Sequence, residues 1–83
     1  MALLIPPDVL RQLATMPKRD RERVLAALQT VATDLGVRPS FVTEMVGHPG
    51  VWRLRKGNWR AAYRIVGDDI VVDAVGHRRE IYR

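Results

Sequence analysis

Three observations predict a small α+β domain in which a strand and a helical hairpin pack on one face of an antiparallel sheet. From Val51 onward, apolar and basic side chains alternate, and the run is broken twice by a glycine-led pair, Gly57-Asn58 and Gly67-Asp68. Upstream, residues 8–35 repeat apolar side chains at helical spacing. The chain is 83 residues long, enough for one core, so residues 1–83 are expected to form a single domain. Strand, helix, helix and then a strand meander is the order of a two-layer α+β fold.

The first strand is assigned to Ala2–Ile5, ended by Pro6-Pro7. Asp8 follows as a helix cap, and Val9, Leu10, Leu13 and Met16 form an apolar stripe. Met16-Pro17 breaks that helix, because the residue before a proline avoids the helical region. A second helix is predicted from about Lys18 to Leu35 on Val24, Leu25, Leu28, Val31, Ala32 and Leu35, with Gly36 as its stop. Arg19, Arg21 and Arg23 near its start read as a solvated face, partly offset by Asp20 and Glu22. Gly36 to Gly50 carries Pro39 and Pro49 and reads as one long connection.

The C-terminal strands can be registered side chain by side chain. Trp52 and Leu54 share one face, leaving Val51, Arg53 and Arg55 on the other. Trp59, Ala61, Tyr63 and Ile65 likewise oppose Arg60, Ala62 and Arg64. A two-residue type II′ turn at Gly57-Asn58 pairs Lys56 with Trp59, Arg55 with Arg60, Leu54 with Ala61 and Trp52 with Tyr63. Apolar then meets apolar and basic meets basic, and a slip of one residue would undo both. A second turn at Gly67-Asp68 sets Ile65 against Ile70, Tyr63 against Val72, Ala61 against Ala74 and Arg60 against Val75. Asp73 becomes the one acid on the basic face, suited to holding Arg60 or Arg64 in place. Tyr63 and Trp59 fall on the core side.

Arg55 directly across from Arg60 is destabilising in isolation. Keeping both there argues for an anion between them. The net charge is +5, of which +4 lies from Val51 onward. Nucleic acid is the leading acidic partner, and an acidic protein segment is the next.

Several chemistries are excluded by composition. The chain has no cysteine, so it has neither disulfides nor a thiolate metal site. His48 and His77 are its only histidines, too few for a metal cluster, and no cofactor is expected. His48, before Pro49, reads as a loop residue. His77 divides evenly between acid–base chemistry and packing at a strand end. No run suits a signal peptide or membrane span, so a cytoplasmic protein is expected.

The elements VWRLRKGNWRAAYRI and DIVVDAVGHRREIYR, preceded by MPKRDRERVLAAL, resemble the RelE/ParE superfamily of toxins from type II toxin–antitoxin systems. The resemblance spans essentially the whole chain and is nearer the RelE-like branch. It rests on R-x-R-x-G-x-(aromatic)-R-x-x-Y followed by V-G-H-R-R-E-x-Y.

It implies a RelE-like fold and an mRNA interferase, a metal-independent, ribosome-dependent endoribonuclease in which the ribose 2′-OH attacks the adjacent phosphate. By the same resemblance Arg53, Arg60, Arg78 and Tyr82 are the catalytic candidates, with His77 beside them. Arg55, Lys56, Arg64 and Arg79 are the RNA-binding candidates. Arg53 stands where many members carry lysine and cannot act as a general base. The implied partners are a small cognate antitoxin, mRNA and the ribosome. Two rival readings share the fold: a ParE-like inhibitor of DNA gyrase, and a catalytically weak remnant that only binds an antitoxin.

Overall fold

The computed structural model describes residues 2–33, 39–44 and 47–79. Two helices pack on one face of a five-stranded sheet of order β1-β5-β4-β3-β2. The strands are β1 (Leu3–Leu4), β2 (Val42–Glu44), β3 (Val51–Lys56), β4 (Trp59–Val66) and β5 (Asp69–His77). The helices are α1 (Pro7–Ala14) and α2 (Lys18–Thr33). Leu35 and Gly36, expected at the end of the second helix, and Tyr82 near the C-terminus lie outside the described residues.

The α+β layering is as expected, with two differences in the sheet. β1 is only two residues long and runs parallel to β5, pairing Leu3 with Ile70 and Leu4 with Val71, so the sheet is mixed. The Ala2 carbonyl and N–H hold this short strand by bonding Ile70 N–H (2.9 Å) and Asp69 Oδ1 (3.0 Å). The stretch read as one long connection contains β2, which pairs antiparallel with β3, Val42 opposite Leu54. Phe41-Val42-Thr43 is an aromatic and β-branched triplet, so strand propensity was present there but flanked by prolines and glycines.

α1 begins differently from expectation. Pro6 is its N-cap with no side-chain cap, Pro7 takes the first turn, and Asp8 sits in that turn rather than capping it. There the carboxylate still complements the helix dipole. The helix closes at Thr15, whose N–H and hydroxyl both reach the Gln12 carbonyl. Val9, Leu13 and Met16 are buried, whereas Leu10 points outward at 53% exposure. Leu10 therefore leaves the expected stripe, because α1 presents a narrower face to the sheet than four apolar positions would cover.

The core joins Val9, Leu13, Val24, Leu28 and Val31 of the helices to Leu54, Ala61, Tyr63, Ile70, Val72 and Val75 of the sheet. Burying each large aliphatic side chain stabilises the fold by roughly 1.5–3 kcal/mol. Trp52 and Trp59 pack partly buried against this cluster on the expected face. Ile65 shares that face near the second turn but remains 39% exposed, beyond the cover of the helices.

The β3–β4 register matches expectation at every predicted pair, from Trp52 opposite Tyr63 to Lys56 opposite Trp59. Gly57 takes φ +57° while Asn58 keeps a negative φ, as a type II′ turn requires. β4 and β5 agree from Val66–Asp69 to Tyr63–Val72, and then a bulge shifts the ladder by one residue. Asp73 has no partner of its own, and Ala61 faces Val75 rather than Ala74. Val75 therefore enters the core and Ala74 stays half-buried on the other side. Arg60 consequently faces Gly76 instead of Val75. Alternation alone cannot reveal such a bulge, because it depends on a single extra residue.

β1 covers only the first part of β5, so among the described residues the later edge of β5 has no strand beside it. Gln12 of α1 reaches it, and its Oε1 accepts the Val75 N–H at 3.0 Å. That bond gives a backbone donor a partner where no ladder exists.

Candidate functional site

Alternation in β3 and β4 sends Arg53, Arg55 and Arg60 to the sheet face opposite the helices. There they line a cleft of about 230 Å³ together with Ser40, Phe41 and Thr43. The latter three come from β2 and the residues before it. Reading that segment as a connection missed this wall of the cleft.

Arg60 is held by two hydrogen bonds to the backbone. Its Nη1 donates to the Gly57 carbonyl (2.9 Å) and to its own neighbour's carbonyl at Trp59 (2.9 Å). Both acceptors are neutral, so the guanidinium is oriented while, among the described residues, no carboxylate pairs with its charge. The hairpin turn thus serves as the mount for this side chain. Arg55 lies directly across the ladder from it.

Arg64 is on the same strand and face but is held differently. Its Nε and Nη2 donate to both oxygens of Asp73 at 2.9–3.1 Å, a bidentate pair. The hydrogen bonding and then the charge of Asp73 push the Arg64 guanidinium above its ordinary pKa. The expected role of Asp73, holding an arginine, is thereby assigned to Arg64 rather than Arg60.

The remaining candidates separate. Arg78 follows β5 and its N–H donates to the Asn58 carbonyl at 2.8 Å, which ties the end of β5 to the turn that mounts Arg60. Arg79 is exposed, and its N–H reaches His77 Nδ1 at 3.3 Å. His77 pairs with Trp59 across the ladder, and the rings meet edge-on at 5.6 Å and 82°. Trp59 packs on the helix side, so His77, its partner in the ladder, lies on the face away from the arginine cleft. Lys56 also faces that side, with its ammonium 4.6 Å from the centre of the Phe41 ring. Tyr82 lies outside the described residues. His48 is exposed in the segment before β3.

This arrangement can bind anions and stabilise a developing negative charge. Arginine does not give up its proton in the neutral range, so the three guanidiniums cannot themselves accept one.

Comparison with known proteins adds the family. Residues 3–82 match the family model described as the ParE toxin of the type II toxin–antitoxin system parDE. The chain belongs to this toxin family. The fold is that of solved RelE toxins. The RelB–RelE complex of Methanococcus jannaschii aligns with TM-score 0.79 and 22% identity over 95% of this chain and 94% of that one. Isolated Escherichia coli RelE aligns with TM-score 0.76 and 16% identity over 90% and 81% of the two chains. The RelBE2 complex of Mycobacterium tuberculosis gives TM-score 0.61 with 28% identity over 93% and 96%. No curated protein matches the sequence. Among the described residues, no helix of the toxin is long and apolar enough to cross a membrane.

Proposed function

We propose that the toxin is an mRNA interferase that cleaves messenger RNA on the ribosome. The observation that carries this reading is the cleft with three guanidiniums, one of them pinned by neutral carbonyls so that its charge stays available. Attack of a ribose O2′ on the adjacent phosphorus forms a P–O2′ bond and breaks the P–O5′ bond. The products are a 2′,3′-cyclic phosphate and a 5′-hydroxyl. Negative charge grows on the non-bridging oxygens between those states, and fixed cations stabilise it more than they stabilise the ground state.

In this reading Arg60 and Arg53 hold the scissile phosphate, and Arg55 holds it or the neighbouring phosphate. Arg78 approaches from the strand end tied to the turn. Tyr82 keeps the proton-transfer role that the family resemblance suggests. His77 is left with packing on Trp59. Charge stabilisation comes from the guanidiniums, so no metal is needed. The partner is a cognate antitoxin, as in the RelB–RelE complexes of similar fold.

The test is translation in a purified cell-free system with the toxin added, followed by primer extension on the messenger. Ribosome-dependent cuts within codons that disappear in Arg60→Ala are the expected result. A second reading, inhibition of DNA gyrase, is favoured by the ParE description of the matching family. Intact messenger together with lost supercoiling activity in a gyrase assay would replace the first reading by the second. Silence in both assays would leave a protein that only binds its antitoxin.

A further inference from the structure

A second cleft, of about 340 Å³, lies on the helix side of the same end of the sheet. Its walls are Trp59, Phe41 and Ala27, and its polar groups include Asp20, Arg23 and Lys56. Phe41 lines both clefts, so the two meet around the edge of the sheet beside the β3–β4 turn. Lys56, over the Phe41 ring, adds a positive charge at that junction. Asp20 is half-buried and makes no ion pair among the described residues.

We propose that this cleft is a subsite for one unstacked RNA base next to the scissile phosphate, chosen by its N–H donors. The proposal rests on the interferase reading and names a second part of the same substrate. The aromatic walls suit a flat base, and the basic junction suits the backbone that passes between the clefts. Asp20 decides the chemistry. A carboxylate only accepts hydrogen bonds, so it fits best the base edge that presents adjacent N–H donors, whereas uracil, adenine and cytosine each set acceptors beside their donor. Guanine offers two adjacent donors on its Watson–Crick edge and matches the two carboxylate oxygens. Arg23, one turn further along α2, supplies a donor beside them.

The experiment is a binding titration of the full chain with short 2′-O-methyl oligouridines, which cannot be cleaved. One guanosine, adenosine or cytidine is placed at each position in turn, and the quench of tryptophan fluorescence is read. The expected result is a single position at which guanosine binds about tenfold or more tighter than uridine, adenosine or cytidine. Asp20→Asn and Asp20→Ala should flatten that preference by weakening the guanosine-containing oligomer to the level of the all-uridine one. The cut sites on ribosome-bound messenger should lose the same bias.

A positional preference that survives both Asp20 variants, with cleavage intact, overturns the subsite and leaves the interferase reading standing. Wild-type toxin that neither binds the oligomers nor cleaves messenger overturns both. Asp20 variants that change binding of an antitoxin peptide and leave base choice untouched would assign the cleft to a protein partner.

Discussion

Arg60 and Arg64 lie on one strand and one face, four residues apart and so about 13 Å from each other, yet they are held in opposite ways. Arg60 is fixed by two backbone carbonyls, those of Gly57 in the hairpin turn and of Trp59 at the start of β4. Arg64 is fixed by a carboxylate. Both side chains are ordered, but only the first keeps its charge available to a ligand. Order and neutralisation are separable, and the sheet uses one at each end. The basic candidate residues therefore do not form one uniform surface. Arg53, Arg55 and Arg60 make the binding end, while Arg64–Asp73 closes off the other.

The largest expected effect comes from removing the mounted cation. Arg60→Ala should lower the rate of ribosome-dependent cleavage by about 100- to 1000-fold, as loss of one transition-state donor typically does. Urea denaturation should barely move, since Arg60 lies outside the core. Equal cleavage by this variant would break the distinction between the two arginines.

Disturbing the mount instead of the cation should give a smaller loss. Gly57 has φ +57° with open space around a substituted Cβ, so Gly57→Ala is opposed by backbone conformation alone. A destabilisation of about 1 kcal/mol is expected by chemical denaturation. Cleavage should fall alongside, because the carbonyl that orients Arg60 moves with the turn.

Releasing the neutralised arginine tests the other end. Binding of single-stranded RNA through Arg53, Arg55 and Arg60 should weaken with salt at a log–log slope of about −2. Asp73→Asn should steepen that slope by about 0.7 as Arg64 gains access to a phosphate. An unchanged slope would place Arg64 beyond the reach of the RNA. The native pair itself should persist across neutral pH. A cation whose folded pKa is raised keeps its contribution below its unfolded pKa, and loses it only as pH climbs through the higher folded value.

The smallest effect is predicted for Arg64→Ala, which should leave both cleavage rate and salt slope unchanged within error. A marked loss of activity would return Arg64 to the RNA-binding set.

Most of the sheet was readable in the chain because strand alternation and a two-residue turn over-determine register. Trp52, Leu54, Ala61 and Tyr63 could match only one way. The faces of Arg53, Arg55 and Arg60 followed from that match. What escaped had local causes. β2 is three residues long and surrounded by turn-forming residues, so its Phe41 and Val42 did not stand out. Asp8 looked like a cap, but Pro6-Pro7 had already set the helix entry. His77 could not be assigned to a face without the bulge, since parity counted straight through from Ile70 places it on the wrong side. The antiparallel pattern also says nothing of a parallel edge strand closing on β5 from the far end of the sequence.

The bulge at Asp73 has a consequence for how relatives of this chain can diverge. Deleting that one residue would restore an uninterrupted ladder and leave every later pair as it is, Ala62 with Ala74, Ala61 with Val75, Arg60 with Gly76 and Trp59 with His77. A relative one residue shorter between the V-V and V-G-H elements can therefore keep the same cleft and lose only the carboxylate that holds Arg64. Ironing the bulge out at constant length does the opposite and turns over everything after it. Ala74 would then replace Val75 in the core, a valine would stand opposite Arg60 in place of Gly76, and His77 would swing to the arginine side, even where every arginine is kept.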